Sequence, residues 1–213
     1  MKFLGFKFSY LHVYFFLFHS KVHWQEREDA ISEALDRLSM NISGKPLRVL
    51  DIGCGPGLLV NMALKKGFSY LGIDTDQASI DYCREKYRDQ GHASFTTSII
   101  PSREVIVNKD DIVILNGVMH HLDDKTVKEL LGHLLIADFV IILDHYIDKT
   151  LKRWPKFLQK RDKGKYVRDY SFFKKIEGYH SVLNTVFPIK IFSLTCWMYF
   201  CMAYKPEIKN AHQ

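Results

Sequence analysis

The stretch VLDIGCGPGLL (49–59) constrains this chain more than any other. An apolar run typical of a buried strand ends in Asp51. Glycines then stand at alternate positions, Gly53, Gly55 and Gly57, and an apolar helix pattern follows. Glycines are needed where backbone must turn sharply or lie against a ligand, because a side chain there would strain the turn or fill the space. Strand, glycine loop and helix together form a nucleotide-binding turn. A dinucleotide fingerprint spaces its glycines G-x-G-x-x-G; here that third position is Leu58, and the third glycine comes one residue early.

The following hundred residues alternate strand and helix signals. RVLDI (48–52), SYLGID (69–74), ASFTTSII (93–100), DIVILN (111–116) and FVIILD (139–144) read as strands. The central ones are continuous apolar runs, as expected of strands buried on both faces. A helix is expected after the loop, with Leu58, Leu59, Met62 and Ala63 on one face and Gly67 past its end. Another should start at Asp76 as N-cap, with Ile80, Cys83 and Tyr87 in register and Gly91 as its stop. A third, capped by Asp123 or Asp124, places Val127, Leu130, Leu131 and Leu134 on one face. Such alternation implies right-handed βαβ units and a mostly parallel sheet. Residues 170–186 read as one more helix, and PIKIFSL and CWMYFCMAY as two closing strands.

Several separated stretches resemble one family, the class I S-adenosylmethionine (SAM)-dependent methyltransferases. VLDIGCGPG is similar to its first motif, GIDTD to the acidic end of its second strand, and DIVILNGVMHHLDD to its fourth strand and following turn. The resemblance covers about residues 45–148, and DKGKYVRDYSFF (162–173) also looks like a stretch in small bacterial members without an assigned substrate. It implies an α/β fold: a doubly wound, Rossmann-like seven-stranded sheet, mostly parallel with an antiparallel last strand, binding its ligand across the carboxyl ends of the strands. It also implies SAM as methyl donor and S-adenosylhomocysteine as product. The implied organisation is a single domain: a helical cap (1–44), a cofactor-binding core (45–148), a basic substrate cover (149–180), and closing strands with a tail (181–213).

The site residues follow from these motifs. Gly53, Cys54, Gly55 and Gly57 form the loop, whose amides suit the methionine carboxylate. Asp51 suits the methionine ammonium, directly or through water. Asp74, with Thr75 beside it, takes the ribose hydroxyls in the family. At the end of the third strand, where many members carry an acid for adenine, this chain has Ser98 and Ile99, so adenine would rest on backbone and apolar contacts. Asn116 ends the fourth strand at the expected donor position. It is followed by Gly-Val-Met rather than Pro-Pro-aromatic, which argues against methylation of amino groups on nucleic-acid bases. His121, which matches the family's commoner histidine, and His120 are the candidates for a general base.

The formal net charge of +6 is unevenly spread. Lys149 to Lys175 holds eleven Lys/Arg and two Asp, a balance of +9, leaving about −3 elsewhere. Arg161, Lys165 and Arg168 in this segment could clamp a carboxylate or phosphate. Cys54, Cys83, Cys196 and Cys201 form no CxxC pair and no zinc spacing, so no metal is expected and a reducing, cytoplasmic compartment is. The N-terminal MKFLGFKFSYLHVYFFLF is too short to span a bilayer, which takes about 20 apolar residues. It reads as a helix packing near the site, with a membrane-surface anchor as the alternative. The function expected is methyl transfer to a small anionic metabolite at oxygen. The alternatives are a non-catalytic SAM-binding partner or sensor module and an RNA methyltransferase.

Overall fold

The computed structural model describes residues 10–40, 47–99, 105–148, 165–191 and 194–207. Seven strands form one sheet: β1 (Arg48–Ile52), β2 (Ser69–Asp74), β3 (Ala93–Thr97), β4 (Asp111–Asn116), β5 (Phe139–Tyr146), β6 (Tyr179–Ile191) and β7 (Leu194–Pro206). Their order across the sheet is β3-β2-β1-β4-β5-β7-β6. The first five run parallel, and β7 is antiparallel to both neighbours, β5 and β6. This is the doubly wound sheet with an antiparallel last strand that the family resemblance implies.

Successive residues of the central strands point to opposite faces, and both faces are apolar. Val49 of β1 with Ile112 and Ile114 of β4 joins one core cluster; Leu50, Val113 and Leu115 join the other. The first cluster is covered by α1 (Tyr10–Ser39), α2 (Val60–Lys65) and α3 (Gln77–Lys86). The second is covered by α4 (Asp124–His133) and the one-turn α5 (Tyr170–Phe173).

Local signals explain the helix boundaries. Asp76 and Asp123 are N-caps, their carboxylates accepting from the amides of Ser79 (3.2 Å) and Thr126 (2.8 Å). Helix α2 begins only at Val60, so Leu58 lies in the glycine turn and is 46% exposed, not on the buried face. In α1, Ile31, Ala34, Leu35 and Leu38 form a buried stripe against the sheet. Lys66 pairs with Asp36 (2.5 Å), tying the end of α2 to α1. No helix among the described residues is long and apolar enough to cross a membrane.

The C-terminal region differs from the sequence expectation. Instead of a helix over 170–186, α5 ends after one turn, Gly178 turns the chain with φ of +80°, and β6 starts at Tyr179. The expected strand PIKIFSL is thus split between the end of β6 and the start of β7. The β-branched residues of HSVLNTVFPIKI favour extended backbone, and pairing with β7 along its whole length outweighs a marginal helical pattern. Pro188 is tolerated because β6 is an edge strand. At the third strand, pairing stops at Thr97, so Ser98 and Ile99 lie just beyond it.

Candidate active site

Three parallel strands end together at one edge of the sheet. Ile52 pairs with Ile73 on one side and Leu115 on the other, so Asp51, Asp74 and Asn116 come to the same rim. The glycine loop leaves β1 there. Its first amides donate back to β2: Gly53 N and Cys54 N to Ile73 O at 2.7 and 3.0 Å.

Gly55 and Gly57 both have positive φ, +50° and +69°, but for different reasons. A Cβ on Gly57 would lie 3.0 Å from both Cys83 Sγ and Tyr87 Cε2, so this glycine lets α3 pack against the turn. A Cβ on Gly55 would meet nothing within 4 Å. It faces open space on the rim, as a backbone meant for close approach by a ligand should. The two alanine variants should therefore fail differently. Gly57→Ala is expected to cost about 1–3 kcal/mol of stability through overpacking and strain. Gly55→Ala should cost about 1 kcal/mol but weaken S-adenosylhomocysteine binding about tenfold or more. Paired thermal melts and isothermal titration check this; equal ligand affinity in Gly55→Ala and the parent would overturn it.

Asp51 is buried in the rim. Tyr70 Oη donates to its Oδ2 at 2.5 Å, while Oδ1 is buried with no hydrogen-bond donor among the described residues. Burial pushes its pKa up to about 7, with Tyr70 opposing and the charge of Asp74 assisting. A buried carboxylate with one unmet oxygen suits a cationic ligand group. Asp74 accepts from Gly55 N (2.8 Å, Oδ2) and Asp76 N (2.9 Å, Oδ1), which fixes its carboxylate against the loop. Each oxygen keeps a further lone pair for a hydroxyl. Cys54 is buried, and burial, with help from Asp51, pushes its thiol far above the usual range. It packs rather than reacts.

On the other side of the rim, β4 ends at Asn116 and a 3-10 turn carries Met119, His120 and His121. His120 is buried and His121 exposed. His120 Nδ1 lies 2.7 Å from Asp144 Oδ1, a direct hydrogen bond, and its backbone amide donates to Asp144 Oδ2 at 3.2 Å. Asp144 also accepts from the amide of His145 at 2.8 Å and is fully buried. Burial alone would raise its pKa, but the contacts with His120 and His145 hold it well below the usual carboxylate range. One ligand atom from each of His120, Asp144 and His145 lies within 4.8 Å of the others, a grouping that could also hold a metal ion.

Similar proteins give this rim its meaning. The family model described as a methyltransferase domain matches residues 50–135. The chain is 28% identical over 169 residues to the O-antigen chain terminator bifunctional methyltransferase/kinase of Escherichia coli, covering 76% of this chain but 24% of that protein. It is 30% identical over 93 residues to the ubiquinone biosynthesis O-methyltransferase of Acinetobacter baylyi, covering 42% of this chain and 38% of the relative. It thus spans well under half the length of either. Magnesium protoporphyrin IX methyltransferase from Synechocystis, solved with bound S-adenosylhomocysteine, shares its fold with a TM-score of 0.65, over 94% of this chain and 90% of that one, at 18% identity. Residues 50–135 carry the pattern of a methyltransferase domain, and the fold is the one that the SAM-dependent methyltransferases share.

The rim fits SAM on its own chemistry: a buried carboxylate oxygen with no donor among the described residues for an ammonium, and an open glycine for close approach. Of the other expected donor-site residues, Thr75 is exposed directly after β2, and Ser98 N donates to Asp74 O at 3.0 Å. Ile99 is 70% exposed beside them. The structure brings all of these to one edge.

Of the expected substrate residues, Lys165 is exposed, and Arg161 lies outside the described residues. Arg168 is buried and directed inward: Nε and NH2 reach Asp124 Oδ1 at 3.0 and 2.7 Å, NH1 reaches Met119 O at 2.7 Å, and NH2 reaches Leu122 O at 2.8 Å. These contacts hold the histidine turn in place. Asp144, Tyr70 and Arg27 went unread in the sequence. Asp144 carried one local signal, a carboxylate closing an apolar strand, as Asp51 does.

Proposed function

We propose that this methyltransferase acts on an oxygen of a small anionic metabolite, with His120, oriented by Asp144, as the group that takes the hydroxyl proton. The observation that carries this reading is the 2.7 Å contact between His120 Nδ1 and a fully buried Asp144. A buried carboxylate on Nδ1 selects the tautomer with its proton there, which leaves Nε2 as the basic nitrogen. It also stabilises the imidazolium that forms when the proton arrives. His121 is exposed and the Asp144 contact belongs to His120, so His121 is the weaker candidate.

In this reading Asp51 receives the ammonium of the donor, the glycine loop its carboxylate, Asp74 the ribose hydroxyls, and Ser98 with Ile99 the adenine. When bound, SAM supplies an electrophilic methyl group, so the protein's task is to align the acceptor oxygen, exclude water and remove one proton. Oxygen as acceptor is supported by the Acinetobacter relative, an O-methyltransferase by name. An anionic acceptor is supported by the basic stretch from Lys149 to Lys175.

The test is incubation with methyl-labelled SAM and a fractionated extract of the native cell, with mass spectrometry of the labelled product. A small acid labelled at oxygen is expected. Label on nitrogen, label incorporated into RNA, or tight donor binding with no turnover on any fraction would each overturn the reading.

A further inference from the structure

Two elements run on past the carboxyl rim of the sheet. Helix α1 lies lengthwise on β7: Arg27 stacks over Tyr199, Cys201 Sγ reaches Ala30 O at 3.6 Å, and Asp36 meets Lys66 at the end of α2. Tyr199 pairs with His145 near the carboxyl end of β5, and Tyr204 with Val140 near its start. Going backward along α1 therefore leads out over the rim. The helix begins at Tyr10, seventeen residues before Arg27, and so continues for about 25 Å at the ordinary helical rise. The β6–β7 hairpin extends the same way. β5 ends at Tyr146 opposite Met198, while β7 reaches from there to Leu194, about 13 Å further.

Both extensions are apolar in sequence. Val13 to Phe18 (VYFFLF) are six apolar or aromatic residues in succession, and six positions run right round a helix of 3.6 residues per turn. The hairpin, whose Ile189 and Trp197 are buried, covers one side of a neighbouring helix and no more. A helix that is apolar all round belongs in a core or in lipid. The hairpin tip reads IKIFSL (189–194), where tight turns ordinarily carry Gly, Asn or Asp. Charge points to the partner. Residues 1–25 contain Lys2, Lys7 and Lys21 and neither Asp nor Glu, and Lys190 at the tip has no acid in the sequence between Glu177 and Glu207.

We propose that the leading half of α1 and the β6–β7 tip together dock this protein on an anionic bilayer surface. The lengths match one leaflet. Tyr10 to Phe18 spans about 13 Å of helix, against roughly 15 Å for half of a bilayer's hydrocarbon core. The protein lies on the bilayer and does not cross it, in keeping with a described chain in which no helix is long and apolar enough to span. Lys21 follows the apolar run and Lys190 stands within the tip, positions from which an ammonium meets headgroup phosphates while its apolar neighbours enter the acyl region. Docking sets the rim of Asp51, Asp74 and Asn116 toward the surface. The proposal does not depend on which acceptor that rim takes.

The test is flotation of the full chain with vesicles of phosphatidylcholine, alone or mixed with phosphatidylglycerol. Affinity for the mixed vesicles should be about tenfold higher or more, and salt should narrow the difference. A Phe15→Gln/Phe16→Gln protein and an Ile191→Gln/Phe192→Gln protein should each lose about tenfold or more in vesicle affinity without a lower melting temperature. Phe16→Trp gives a reading that needs no loss of binding: bromine-labelled acyl chains should quench its added fluorescence. A parent protein that floats with neither vesicle type, variants that float as well as the parent, or an added tryptophan that bromine does not quench would each overturn the proposal. A dimer in lipid-free buffer that Phe15→Gln/Phe16→Gln dissociates, with no vesicle binding by the parent, would make the extension an interface between two copies and overturn it as well.

Discussion

An Asp51→Asn protein is expected to bind S-adenosylhomocysteine on the order of a hundredfold more weakly and yet, without ligand, to melt at a higher temperature above pH 7. Both effects come from one buried carboxyl whose pKa is raised to about 7. The folded protein holds the Asp51 proton more tightly than the unfolded chain, where the group titrates near 3.8. Its contribution to stability is therefore fully present below that lower value, is lost as pH rises toward 7, and is a standing cost above 7. Asparagine removes the cost, so its stabilising effect should be largest above pH 7 and vanish in acid. Ligand binding runs the other way, because an ammonium needs the ionised form. Parent affinity should fall up to about tenfold per pH unit below 7, and the asparagine protein should lack that slope. Tyr70→Phe, which removes the hydrogen bond that opposes the shift, should move the midpoint to higher pH. Titration calorimetry between acid and alkaline buffers decides it: a parent affinity independent of pH would refute this account of Asp51.

The second large effect separates the two histidines. His120→Ala should lower turnover by about 10²–10⁴-fold, the usual contribution of a positioned proton acceptor, while leaving S-adenosylhomocysteine affinity as it was. His121→Ala should change turnover little, since that side chain is exposed and the Asp144 contact belongs to its neighbour. Asp144→Asn should also be slow, because the amide no longer fixes the tautomer, and its turnover should be less sensitive to pH. Single-turnover rates on the acceptor found by labelling distinguish these cases. A His121 variant as slow as the His120 variant would exchange their roles.

What the sequence disclosed and what it hid divide along a physical line. Asp51, Asp74, Asn116 and the glycines follow strand ends, and strand ends are marked locally by apolar runs that stop. Their convergence then follows from parallel topology, which carries every such end to one edge. Arg27 meets Asn116 across 89 residues of chain, and no local pattern in α1 announces that contact. His120 and Asp144 are likewise 24 residues apart and paired only because β4 and β5 are neighbours. The misread segment, 170–186, failed for a related reason. Its backbone conformation is decided by β7, a partner supplied later in the chain. Arg168 shows the limit of charge counting: an arginine in a basic stretch is spent on the backbone oxygens of Met119 and Leu122.

The position of β7 has a consequence for how the protein comes into being. It threads between β5 and β6, although it follows both in the chain. During translation, β5 therefore emerges with the edge through Ile141, Ile142 and Leu143 unpaired, and stays so until Cys201, Met202 and Ala203 arrive to take it. Throughout that interval the nascent chain exposes an apolar edge able to recruit any other extended strand. Closure of the sheet therefore waits for β7, and until then the open edge is the chain's main aggregation hazard.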